Sequence, residues 1–185
     1  MKIYIDQGHN PENPNAGAEG NGFREQDIVF DIGLRTADRL RDAGIDVRLS
    51  RPTSETQLGS SVATSLAARV NDANDWGADY FISLHINASE IRAASGSEAY
   101  IYRRDSPAED LALQILRRLN EATGLRDRGV MARPSLYVLR KTRMPAVLVE
   151  LGFITNPRDA ELMAYSPGLF AAGIANGVLT DLGWQ

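Results

Sequence analysis

Apolar residues recur along this chain with two periods. Ile3-Tyr4-Ile5, Phe81-Ile82-Ser83-Leu84 and Ala146-Val147-Leu148-Val149 are short, mostly apolar runs, as expected of strands buried on both faces. Ile45 to Leu49 alternates apolar and charged residues, and Glu98 to Tyr102 alternates around its aromatics, so both read as strands. Between these runs the period lengthens. Ile28, Ile32, Thr36 and Leu40 recur every four residues and predict a helix from about Glu25 to Ala43, stopped by Gly44. Leu66, Val70 and Ala73 predict a second helix from about Val62 to Trp76. Ser106-Pro107-Ala108-Glu109 signals a third, with a hydroxyl cap, proline at the first helical position and a capping-box acid; it runs to about Thr123. Leu136 to Leu139 predicts one more strand. Asn156-Pro157 and Ser166-Pro167 open the last two helices.

Strands that alternate with helices from end to end predict an α/β fold. Its expected form is a single domain with a central mixed, mostly parallel sheet of about six strands and helices on both faces. The stretch from Gln7 to Gly22 is rich in glycine, asparagine and proline, and predicts a long irregular loop of the kind that carries function.

The 185 residues suit one domain, residues 1–185, with no room for a second unit. The absence of cysteine excludes disulfides, cysteine-ligated metals and a thiol nucleophile. A net charge of −4 gives no electrostatic case for nucleic acid. No apolar run approaches the roughly 20 residues that span a membrane. Residues 1–6 read as a strand rather than a secretory leader, which leaves any export route open.

Histidine chemistry then falls to two residues. His9 follows the first apolar run, His85 ends the run at 81–84, and Glu150 ends the run at 146–149. Open α/β sheets bind ligands beyond the carboxyl ends of their strands. Each residue alone could be an ordinary strand-end polar group; together they point to a metal. Two histidines with one carboxylate form a catalytic zinc set. The carboxylates near His9 are Glu12, Glu19 and Glu25. Glu25 starts a helix, which fixes its reach, although an acid there also simply complements the helix dipole. Gly17, Gly20 and Gly22 lack dinucleotide-binding spacing and are expected to let the loop pass close to the metal.

The series Ile5-Asp6-Gln7-Gly8-His9, Arg24-Glu25, Ser83-Leu84-His85-Ile86-Asn87-Ala88 and Pro145-Ala146-Val147-Leu148-Val149-Glu150-Leu151-Gly152-Phe153 resembles the zinc-dependent N-acetylmuramoyl-L-alanine amidases of the amidase-3 type. Shorter matches lie between, including Gly96-Ser97-Glu98 and Asp127-Arg128-Gly129-Val130. The resemblance implies one zinc ion per chain held by His9, Glu25 and His85. It implies Glu150 as the base that activates water. The substrate would be the peptidoglycan amide between the lactyl group of muramic acid and L-alanine, cleaved at the bacterial cell wall.

Asn87, two residues past His85 on the same side of the strand, is either a substrate-binding residue, as the resemblance favours, or the start of a strand-end Asx turn. The cations Arg126, Arg128, Arg133, Arg140, Lys141 and Arg143 form either a solvated edge or a partner for the stem peptide's carboxylates. Arg140 is the substrate-binding candidate among them. Some relatives carry an inhibitory helix after the histidine strand; residues 88–96 leave no room for one, so no activator protein is expected. The rival functions are a zinc peptidase acting on free cell-wall peptides and a wall-binding module without catalysis.

Overall fold

The computed structural model describes residues 1–184. The first apolar run forms β1 (Lys2–Gln7), which lies between β4 (Asp46–Leu49) and β5 (Tyr80–Asn87), parallel to both. On the other side of β5 lies β8 (Ala146–Phe153), also parallel. β6 (Ser97–Ile101) pairs antiparallel with β8, and β7 (Asp127–Ala132) closes the sheet parallel to β6. The order β4-β1-β5-β8-β6-β7 gives six strands with one antiparallel neighbour pair. A second, two-stranded sheet, β2 (Glu19–Gly20) with β3 (Phe23–Arg24), lies inside the long loop after β1.

Three helices cover one face. These are α1 (Glu25–Asp42), α3 (Pro107–Thr123) and α6 (Pro167–Asp181). Val29, Ile32 and Leu40, Leu111, Ile115 and Leu119, and Phe170, Ile174 and Val178 share one core with Ile3, Ile5, Ile82, Leu84, Val147 and Val149 of the strands. The opposite face carries α2 (Val62–Trp76) and the short α4 (Tyr137–Lys141). Val70, Ala73, Val138 and Leu139 there pack on Tyr4, Phe81, Ala146 and Leu148, all near the starts of their strands. Further along, the same face bears Asp6, Ser83, His85 and Glu150 instead of apolar groups. α5 (Pro157–Tyr165) follows β8, with the Asn156 side chain accepting from the N–H groups of Arg158 and Asp159.

Three sequence expectations change. Residues 137–139 form part of a helix rather than a strand, with Leu136 as its extended N-cap. Four apolar residues carry no period that separates the two, and Val138 and Leu139 are adjacent and both buried, as a helix against α2 allows. β7 is not marked in the sequence, because Asp127 and Arg128 are exposed and only Val130 is buried, the pattern of a sheet edge. The third helix begins at Pro107 as expected, but without a capping box. Ser106 Oγ donates to the Arg103 carbonyl, and the Glu109 carboxylate accepts from Asp105 N–H and Arg104. Among the described residues no single helix is long and apolar enough to cross a membrane.

Candidate metal centre

β1, β5 and β8 are adjacent, so their carboxyl ends form one rim. Beyond β1, His9 Nε2 lies 3.1 Å from Glu25 Oε1. His85 Nδ1 lies 3.1 Å from the same oxygen and 3.2 Å from His9 Nε2. Three ligand atoms thus form a near-equilateral triangle. A tetrahedral centre with bonds of about 2.0–2.1 Å places its ligand atoms about 3.3 Å apart, so the triangle fits a small divalent cation. Of the three acids near His9, the structure brings only Glu25 to the histidines among the described residues.

The surroundings fix each donor. The His9 Nδ1–H donates to the Asn15 carbonyl at 3.2 Å, which leaves the Nε2 lone pair facing the cluster. Glu25 Oε1 also accepts the Ile86 N–H at 2.9 Å, and Oε2 accepts the Ala18 N–H at 2.9 Å. Burial works to raise the Glu25 carboxyl, but hydrogen bonds and charge from His85 and His9 outweigh it and hold it below the ordinary range. Two glycines make room. A Cβ on Gly8 would stand 2.6 Å from the His85 ring, and one on Gly17 would stand 2.9 Å from Glu25 Oε2. Gly17 therefore passes close to the cluster as expected. Gly20 instead abuts the Ile154 carbonyl, and Gly22 has a φ of +82° beside the β2–β3 turn.

His9 itself has a φ of +65°, which costs a side-chain-bearing residue energy and persists only when held. Arg69 holds it. This arginine is 1% exposed, donates to the His9 and Gln7 carbonyls, and pairs with Asp6 Oδ1 at 2.6 Å. Burial pushes the Asp6 carboxyl up, but the Arg69 charge and the hydrogen bonds from Ser83 and Arg69 win, leaving it below its usual value. Asp6 lies inside the resembling series Ile5 to His9, but nothing in the sequence pairs it with Arg69, because the two are buried on different elements far apart in the chain.

Glu150 is the register partner of His85 on β8, so both stand on the same face of neighbouring strands. Its Oε2 is buried with no hydrogen-bond partner. Burial first, then the negative charges of Glu25 and Glu98, push this carboxyl up to about 8. The same group beside a bound divalent cation titrates lower. Such an acid, able to hold or release a proton near neutrality, suits general acid–base work.

Asn87 lies on the same face, with Nδ2 donating to Glu98 Oε1 at 2.9 Å and Oδ1 accepting the Ala88 N–H. Arg140 stands elsewhere. With Arg103 and Arg143 it lines a cavity of about 340 Å³ next to Pro145 and Ala146, at the start of β8. Glu150 lies four residues further on, about 13 Å along the strand. Arg140 is therefore not brought to the rim that carries the histidines. A cation of the same run that does reach the rim is Arg128, whose Nε donates to Glu98 Oε2 at 2.7 Å.

Comparison with known proteins agrees with this geometry. Residues 3–180 match the amidase-3 family, described as N-acetylmuramoyl-L-alanine amidase. The N-acetylmuramoyl-L-alanine amidase CwlM of Bacillus licheniformis is 36% identical over 183 residues, covering 96% of this chain and 67% of that protein. The sporulation-specific N-acetylmuramoyl-L-alanine amidase of Bacillus subtilis is 37% identical with the same coverage. The catalytic domain of the amidase CwlV from Bacillus (Paenibacillus) polymyxa var. colistinus superposes with a TM-score of 0.87 at 29% identity, covering 100% of this chain and 99% of that domain. A rim that gathers two histidines and two glutamates, on a fold shared from end to end with such a catalytic domain, places this chain in the family of N-acetylmuramoyl-L-alanine amidases.

Proposed function

We propose that this chain is a zinc-dependent peptidoglycan amidase, with one zinc ion held by His9 Nε2, Glu25 Oε1 and His85 Nδ1. The reaction is hydrolysis of the amide between the lactyl group of N-acetylmuramic acid and the L-alanine of the stem peptide. The observation that carries this reading is the 3.1–3.2 Å triangle of donors, with a glutamate in register beside it. When bound, zinc supplies a Lewis acid that activates water and polarises the amide carbonyl.

Glu150 acts as the base. Its carboxylate, tied down by no hydrogen bond at Oε2, takes the proton of the attacking water and returns it to the amide nitrogen as the C–N bond breaks. Glu25 and Glu150 divide two roles by environment: the first is tied down by two histidines and two backbone N–H groups, the second is not. Asn87 stands on the substrate side of this face. The site of action is the bacterial cell wall, and residues 1–185 act as one catalytic domain. Residues 88–96 run directly from β5 to β6 without a helix, so the domain acts on sacculi without an activator.

His85→Ala tests the ligand set. It is expected to lose both stoichiometric zinc, measured by atomic emission on dialysed protein, and hydrolysis of sacculi. Zinc content unchanged from the parent would refute the assignment.

A further inference from the structure

Among the cations of residues 125–143, Arg128 is bound into the catalytic face. Its partner Glu98 is 4% exposed and stands opposite Glu150 in the β6–β8 register. Directly opposite residues of an antiparallel pair have Cβ atoms about 5 Å apart. Glu98 gathers three donors: Asn87 Nδ2 at 2.9 Å, the Tyr100 hydroxyl at 2.5 Å and Arg128 Nε at 2.7 Å. The Arg128 guanidinium also lies over the Phe153 ring, 4.9 Å from its centroid. Phe153 reaches this face because the β5–β8 register shifts between His85 and Asn87, pairing Asn87 with Phe153. The rim behind it is fixed by Asp159, which accepts from the Gly96 and Phe153 N–H groups and from Ser95 Oγ.

Arg128 is thus held by an ion pair and a ring, yet its side chain is 34% exposed. Nε is committed to Glu98 and Nη1 makes a long 3.5 Å bond to the Ser95 carbonyl, so Nη2 and the remaining Nη1–H form the outward side of the fork, the geometry that receives a carboxylate. In the stem peptide the residue after L-alanine is a glutamate joined through its side chain, so its α-carboxyl stays free or is amidated. That carboxyl lies about two residues, roughly 7 Å, from the scissile amide. Arg128 lies one cross-strand step and one hydrogen bond from Glu150.

We propose that Arg128 is the binding site for the free α-carboxylate of the second stem-peptide residue, with Glu98 as its positioning residue. This rests on the amidase reading and goes beyond it, because it makes the enzyme discriminate between carboxylate and carboxamide forms of the same muropeptide.

Affinities are measured by calorimetry on zinc-loaded Glu150→Gln protein, so that the ligand survives. The two ligands are muropeptides that differ only in that α-carboxylate or carboxamide. The parent is expected to bind the carboxylate form at least tenfold more tightly. Arg128→Gln is expected to bring the ratio close to one. Arg128→Gln with Glu98→Gln removes the charge left uncompensated at Glu98, and the ratio is expected to stay close to one. A role confined to neutralising Glu98 would restore the tenfold ratio in that double variant and overturn the proposal. Equal affinities in the parent would overturn it as well. Cleavage of either muropeptide by the unmodified enzyme reads the amidase function separately.

Discussion

Glu150→Gln is expected to lower the rate of muropeptide hydrolysis by about 10²–10⁴-fold, the range that a positioned general base contributes. Zinc content is expected to stay near one per chain, because Glu150 is not among the three donors that meet at the triangle. The amide side chain keeps the shape of the glutamate but takes no proton from water. The variant should remain folded. In the metal-free state its stability at neutral pH should rise, since burial and the charges of Glu25 and Glu98 hold the carboxyl it removes above its ordinary value, and folding must protonate it. Turnover measured against zinc content on the same preparation checks both halves. Normal turnover would assign the base elsewhere.

Arg69→Met is expected to destabilise the fold by about 3–5 kcal/mol, the usual cost of leaving one charge of a buried pair unpartnered. For a chain of this size that is a fall in Tm of roughly 10 °C. The same change frees the carbonyls of Gln7 and His9, so the left-handed His9 backbone loses its restraint and zinc affinity falls with stability. Asp6→Asn, combined with Arg69→Met, should cost less than the sum of the two, because the pair acts as a unit. The pH dependence has a definite sign. Asp6 titrates below its usual value in the folded chain, so the pair's stabilisation is present above the unfolded value near 3.8 and is lost as pH falls through the folded one. Thermal unfolding of the parent should therefore steepen its fall below about pH 4, and the double variant should not share that slope. Equal slopes would show that the pair does not control acid unfolding.

The part of this site that sits at the ends of apolar runs is legible in the sequence. His9, His85 and Glu150 each follow a strand that announces itself, and the α/β alternation says that such ends share a rim. Glu25 is legible only as one of three acids, because its selection depends on where the loop from Gln7 to Gly22 folds back. Arg140 is misplaced for a related reason. Residues 136–139 give no period, so reading them as a strand hides that α4 carries Arg140 to the start of β8, away from the rim. Glu98 and Arg128 are present in short motifs, but their meeting depends on the parallel pairing of β6 with an edge strand that hydrophobicity does not mark, and their place beside Glu150 on the antiparallel pairing of β6 with β8. Asp6 and Arg69 are joined across 63 residues, and only the fold puts them in contact.

The most direct test of the amidase account is mass spectrometry of the products that the zinc-loaded enzyme makes from a purified muropeptide. The expected products are a muramic acid sugar with its lactyl carboxylate free and an intact stem peptide that begins with the free amine of L-alanine. Products cut within the stem peptide, with the muramoyl–alanine amide preserved, would contradict it and favour a peptidase.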